Sequence, residues 1–151
     1  MEPLQPVPPV LISTCLLGRN CRFDGHTKGD PALVSRLEAS GVQLIPYCPE
    51  ESGGLPTPRS PAWIEAQDAE AVWAGRDRVL DEAGEDVTSA FVRGAEGALA
   101  LCKRLGIRTA YLKERSPSCG VCQTHAHGEL IDGPGVTTVL LQKHGIETLP
   151  G

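Results

Sequence analysis

The sequence predicts a three-layer α/β domain with a mainly parallel sheet. Three observations carry that expectation. Short aliphatic runs of the buried-strand type lie at 10–14, 42–47 and 108–113. Amphipathic helical patterns separate or follow them. The elements come in the order βα, β, excursion, αβ, αβ, the pattern of a doubly layered parallel sheet. At 151 residues the chain suffices for a single domain with one continuous core.

Residues 1–9 hold four prolines, Pro3, Pro6, Pro8 and Pro9, and predict a flexible N-terminal arm, with residues 10–151 forming one domain. The first strand, 10–14, runs into Cys15-Leu16-Leu17-Gly18, and 20–30 is polar and irregular. Pro31 suits the first turn of a helix capped by Asp30, with Leu33, Val34 and Leu37 on one face and Gly41 beyond its end. The second strand, 42–47, runs straight into Cys48-Pro49-Glu50. The stretch 52–61 is too rich in Gly and Pro for regular structure. Residues 62–81 alternate weakly and predict a strand-rich excursion with turns at Gln67-Asp68 and Gly75-Arg76. Asp86 or Thr88 caps a long helix reaching Leu105, with Phe91, Ala95, Ala98, Leu99 and Cys102 on one stripe. The third strand, 108–113, delivers Ser116-Pro117-Ser118-Cys119-Gly120, where Pro117 and Gly120 enforce a turn. A glycine-rich loop to Gly135, a helix over 136–144 and a last strand over 146–149 complete the chain.

A formal charge of -5 and a pI near 5.3 speak against nucleic acid or an anionic membrane surface as partners. No apolar run approaches the roughly 20 residues that span a bilayer. Six cysteines without a secretory leader predict a cytoplasmic protein whose thiols serve metal binding or chemistry rather than disulfides. A monomer acting on a small molecule is expected.

Right-handed crossovers place the carboxyl ends of parallel strands on one edge, where open α/β sheets bind ligands. Cys15, Cys48 and Cys119 each follow such an end, so three cysteines distant in sequence are expected in one crevice. Cys102, on a helical stripe, reads as a small buried hydrophobe. For the trio, packing, zinc and redox readings compete with an iron–sulfur cluster. Cys119-Gly-Val-Cys122 with His125 and His127 is a possible zinc half-site, and the same CxxC could serve thiol redox chemistry. Three thiolates on a [4Fe-4S] cluster would leave one iron open to act as a Lewis acid.

Four blocks of sequence narrow the choice. Cys15-Leu-Leu-Gly18 with Cys21-Arg-Phe-Asp-Gly25 is the first, and Cys48-Pro-Glu50 with Gly53-Gly-Leu-Pro-Thr-Pro-Arg59 the second. The others are Lys113-Glu-Arg-Ser-Pro-Ser-Cys-Gly120 and Gly135-Val-Thr137. In that order, over roughly 10–149, they resemble the thiouracil desulfurase family. The resemblance implies a Rossmann-like fold, a [4Fe-4S] cluster bound by three cysteines, and non-redox removal of sulfur from a thiolated pyrimidine. Carried over, the ligands are Cys15, Cys48 and Cys119, and the catalytic residues are Glu50 with Ser116 or Ser118. Cys122 departs from the pattern, leaving a ligand exchange with Cys119 as an alternative, and the segment 123–128 replaces a more aromatic stretch. A zinc- or cluster-bearing binding protein without turnover is the alternative function. In the enzymatic reading Glu50 deprotonates water for attack on the C=S carbon, and a serine steadies the developing oxyanion or relays the proton.

Overall fold

A computed structural model describes residues 7–18, 29–127 and 129–151. Most of the expected N-terminal arm, and Cys21 with its neighbours, lie outside the described residues.

The first sheet is wholly parallel. Its strands are β1 (Val10–Ser13), β2 (Leu44–Tyr47), β5 (Thr109–Leu112) and β8 (Glu147–Pro150), in the order β2-β1-β5-β8. Side chains on β1 alternate between two cores. Ile12 packs with Leu16, Leu33 and Leu37 of α1 (Pro31–Ala39), while Leu11 packs with Ala98, Cys102 and Leu141. The latter belong to α4 (Thr88–Leu105) and α5 (Val136–Lys143). Helices thus cover both faces, as a parallel sheet requires. From β1 the chain winds outward through α1 to β2, and from β5 it winds the other way through α5 to β8. The gap between the carboxyl ends of β1 and β5 is therefore a topological switch point, where a crevice opens.

The helix boundaries follow local chemistry. Asp30 accepts the Leu33 amide at 3.2 Å, with Pro31 in the first turn, as expected. The expected cap of α4 by Asp86 or Thr88 is not found: Val87 is at the N-cap with no side-chain bond, Asp86 accepts the Thr88 amide at 2.9 Å just outside the helix, and Gly106, at φ 70°, ends it.

Two further sequence expectations need correction. The excursion over 62–81 is β3 (Ala62–Ile64), then a helix, α3 (Ala69–Trp73), then β4 (Val79–Asp81). Asp68 caps α3 by accepting the Ala71 amide at 2.9 Å, so Ala71 and Trp73, taken as strand alternation, are helical. The glycine-rich loop before Gly135 is an antiparallel hairpin, β6 (Gln123–Ala126) and β7 (Glu129–Asp132). Together these form an unforeseen second sheet, ordered β4-β3-β6-β7. Its inner face, Ile64, Val79 and Ala126, packs on Phe91 and Ala95 of α4 and on Val136 and Val139 of α5. Those two helices are therefore shared between the sheets.

The Cys48 turn is also more regular than expected. Pro49–Ser52 forms one helical turn, α2, with Cys48 at its N-cap. It lies hard against α4, where a Cβ on Gly94 would come within 2.0 Å of the Pro49 carbonyl oxygen. Arg93 donates to the Gly53 carbonyl at 2.9 Å and Tyr47 to the Gly94 carbonyl at 2.9 Å, fastening the same contact. Gly94→Ala is expected to prise α2 from α4 and to lower unfolding free energy by about 1–3 kcal/mol, measurable by chemical denaturation.

Candidate active site

The crevice at the switch point is a cavity of about 500 Å³, in the size range of small-molecule sites. Cys15, Cys48 and Cys119 all line it, and so do Glu50 and Ser116. The expected convergence of three cysteines from three strand ends is what the fold delivers. Each arrives by a different device. Cys15 sits in a single 3-10 turn (Thr14–Leu17) directly after β1, Cys48 caps α2 after β2, and Cys119 lies in the turn after β5.

The Cys119 turn is held most firmly. The Ser116 hydroxyl oxygen accepts the amides of Ser118 and Cys119, both at 3.1 Å. The first amides of α5 close on its carbonyls, Val136 to Pro117 at 2.9 Å and Thr137 to Ser118 at 2.8 Å. The Thr138 hydroxyl donates to the Cys119 carbonyl at 3.0 Å. A Cβ on Gly120 would stand 2.1 Å from the Gln123 carbonyl oxygen, so no side chain fits there.

Glu114 braces the far side, a role the sequence reasoning missed. Its carboxylate accepts the amides of Val121 (2.8 Å), Cys122 (3.0 Å) and Gln123 (3.0 Å). Burial tends to raise its pKa, but these amides outweigh that and hold it below the usual carboxylate range. The signal in sequence was only a carboxylate just before a Pro/Gly turn, which ordinary loop residues share.

The two serines part company. Ser116 lines the cavity, whereas Ser118 is fully buried and shares a 2.7 Å hydrogen bond with the Thr137 hydroxyl. Ser118 and Ser13 both hydrogen-bond the Cys119 thiol. Ser13 also accepts the Lys113 amide at 3.0 Å, linking β1 to the end of β5. Glu50 meets the Arg59 guanidinium at 3.4 Å, and the Arg59 side chain is only 5% exposed. Arg59 also donates to the Pro56 carbonyl (3.0 Å) and Thr57 hydroxyl (2.9 Å), so the Gly/Pro-rich loop serves to aim it.

The remaining cysteines sort as their surroundings dictate. Cys102 is buried in the core between α4 and the first sheet, its thiol pushed up to about 11 by burial. Cys122 is exposed, while Cys119 is 5% exposed and faces the cavity. The CxxC therefore does not present both thiols to one environment, which tells against a zinc half-site there. Among the described residues no three His, Cys, Asp or Glu side chains converge closely enough to hold a single metal ion.

Burial, helped by the nearby Glu50 and Cys48, pushes the Cys119 thiol up to about 12. Such a thiol is a poor nucleophile but becomes a thiolate on binding a metal centre. Three thiols spread around a cavity of this size suit a group larger than one ion, and thiolates are the donors that iron–sulfur clusters take.

An open parallel sheet with thiols and a carboxylate gathered at its carboxyl edge defines an α/β protein with a thiol-lined small-molecule crevice. Its family is now plain: the model of the 2-thiouracil desulfurase family matches residues 10–150, and the chain belongs to that family. It is 43% identical to a structurally characterised [4Fe-4S]-dependent thiouracil desulfidase, TudS, with a TM-score of 0.81 over 95% of this chain and 91% of that one. It is also 34% identical, over 93% of each chain, to the uncharacterised protein YbbK of Bacillus subtilis strain 168.

Glu114 offers a test of the brace. Its folded-state pKa lies below its ordinary value of 4.5, so the unfolded chain binds the proton more readily. Its stabilisation is thus complete above that value and lost as pH falls below it. Glu114→Gln should lower stability at pH 7 by about 1.5–3 kcal/mol. The variant should also show a shallower loss of stability as pH falls below 4.5 than the native chain, read as the shift in denaturation midpoint.

Proposed function

We propose that this chain removes sulfur from thiouracil, replacing C=S by C=O with water as oxygen donor and releasing sulfide, with Cys15, Cys48 and Cys119 holding a [4Fe-4S] cluster. The observation that carries the reading is the meeting of those three thiols with Glu50 in one cavity. When bound, a cluster with three protein thiolates supplies an iron without a protein ligand, a soft Lewis acid matched to the substrate's sulfur.

The chain's own residues supply the rest. Glu50, in the first turn of α2, takes a proton from the attacking water. Arg59, bound to the Glu50 carboxylate, fixes its orientation. Ser116 keeps its hydroxyl proton for the developing oxygen anion, because its bonds to the Ser118 and Cys119 amides use only its oxygen as acceptor. Ser118 acts through Cys119 rather than on the substrate. Oxygen enters from water and sulfur leaves as sulfide, so no electrons are consumed. No helix among the described residues is long and apolar enough to cross a membrane. Thiols kept for a metal centre fit a cytoplasmic protein, and the acidic chain fits a monomer acting on a free small molecule rather than on nucleic acid or a lipid surface.

Alanine at Cys15, Cys48 or Cys119 should abolish iron and sulfide content in anaerobically purified protein, while Cys102→Ala and Cys122→Ala retain both. Iron retained in Cys119→Ala but lost in Cys122→Ala would exchange the ligand assignment. Glu50→Gln should keep the cluster absorbance and turn over at least about a hundredfold more slowly. Turnover in ¹⁸O-labelled water without reductant should place the label in the uracil carbonyl. Unlabelled product, or a strict need for reductant, would overturn the hydrolytic route.

A further inference from the structure

The wall of the cavity contributed by the second sheet has no part in the chemistry above. Trp63 of β3 and His125 of β6 both line the cavity. Because Ile64 pairs with Ala126 in the parallel β3–β6 ladder, Trp63 and His125 are cross-strand neighbours on one face. Strand alternation sends Ile64 and Ala126, both fully buried, into the core on the other face. The register therefore presents an indole and an imidazole side by side to the crevice that holds the thiols.

Tyr47 lines the cavity as well, with its hydroxyl held by a backbone carbonyl, whereas Trp73 does not line it. The Tyr47 hydroxyl donates to Gly94, and the Trp73 indole N–H donates to the Val136 carbonyl at 2.9 Å. The position of the wall is also tied to the catalytic turn. The Thr124 hydroxyl donates to the Ser116 carbonyl at 2.8 Å, and Arg115 bridges Thr124. His125 is thus one residue from a fixed contact with the residue proposed to meet the oxygen anion.

We propose that Trp63 and His125 are the specificity-determining residues for the pyrimidine ring, Trp63 covering the ring face and His125 hydrogen-bonding its polar edge. This rests on the desulfurase reading and names how that site selects its substrate. An indole face offers sequence-independent stacking to a planar heterocycle, and an imidazole at the half-open rim offers a donor or an acceptor to ring N–H and C=O groups. The thiols and Glu50 act on the C=S unit and would treat any thioamide alike. Discrimination for the ring needs a contact away from that unit, and this wall supplies it.

The test is steady-state kinetics of the cluster-loaded enzyme with 2-thiouracil, together with the inhibition constant of uracil, which carries the ring but no sulfur. Trp63→Ala is expected to raise the 2-thiouracil KM and the uracil inhibition constant together, by about tenfold or more, at nearly unchanged kcat. Trp63→Phe should restore most of the loss. His125→Leu should weaken both constants, and His125→Gln should recover them in part. Unchanged constants in Trp63→Ala and His125→Leu, with iron content intact and native activity present, would overturn the ring-recognition role. So would a fall in kcat alone, or loss of iron from His125→Leu, which would make His125 a ligand. Absence of sulfide release by the native, iron-loaded protein would instead refute the desulfurase reading, so the two failures are separable.

Discussion

The turn that carries Cys119 is packed backbone against backbone, and the site depends on that contact. Gly120 and Gly135 leave no room for a Cβ, since one on Gly135 would lie 2.6 Å from the Ser118 carbonyl oxygen. The close approach lets the first amides of α5, which a helix otherwise leaves unsatisfied, bond to the carbonyls of the turn. Loop and helix start are one hydrogen-bonded unit. Glu114 performs the same service for the next amides along the chain, through 121–123. A segment with almost no regular structure is thereby made as rigid as a strand end, which a site needing several groups in fixed relation requires.

Rigidity has an electrostatic cost. Burying Cys119 disfavours its thiolate, and Glu50 and Cys48 add negative charge beside it. The Ser13 and Ser118 hydroxyls lower the thiol's pKa and offset part of that penalty. Arg59 answers the Glu50 carboxylate from below the surface of the Gly/Pro-rich loop. Lys113 and Arg115 also line the cavity, so its carboxylate does not stand without positive charge, and a metal centre bound there would convert the buried thiols into stable ligands.

The first sheet was legible because three of its four strands lie in short aliphatic runs ending in a recognisable break, and because parallel connectivity fixes which ends share an edge. Cys15, Cys48 and Cys119 could be gathered from that rule alone, whereas Glu50 was singled out through the family resemblance. The second sheet was not legible. Its strands are three or four residues long, and β7 is nearly all exposed, so hydrophobic alternation is weak. The hairpin signal was present in principle, as a two-residue His127-Gly128 connection between segments of period two, but Gly133 and Gly135 masked it as loop composition. At 69–73, weak alternation of Ala71 and Trp73 hid a good cap and a run of helix formers. The division of the two serines was beyond sequence altogether. Which hydroxyl faces a cavity depends on side-chain direction in a turn, and spacing carries no information about that.

The two sheets divide the work of the site. Loops of the first sheet bring the three thiols, Glu50 and Ser116 to the cavity, and the Cys119 turn does so through backbone contacts that tolerate little change. The second sheet is attached through its inner face to α4 and α5 and through Thr124 to the catalytic turn, while its cavity face carries Trp63 and His125. A strand can exchange the side chains on one face without disturbing the other, because successive residues point to opposite sides. Substitution at 63 or 125 therefore leaves Ile64 and Ala126 in the core and the turn in place. That separation would let the wall proposed to recognise the ring vary while the thiols, Glu50 and Ser116 stay fixed.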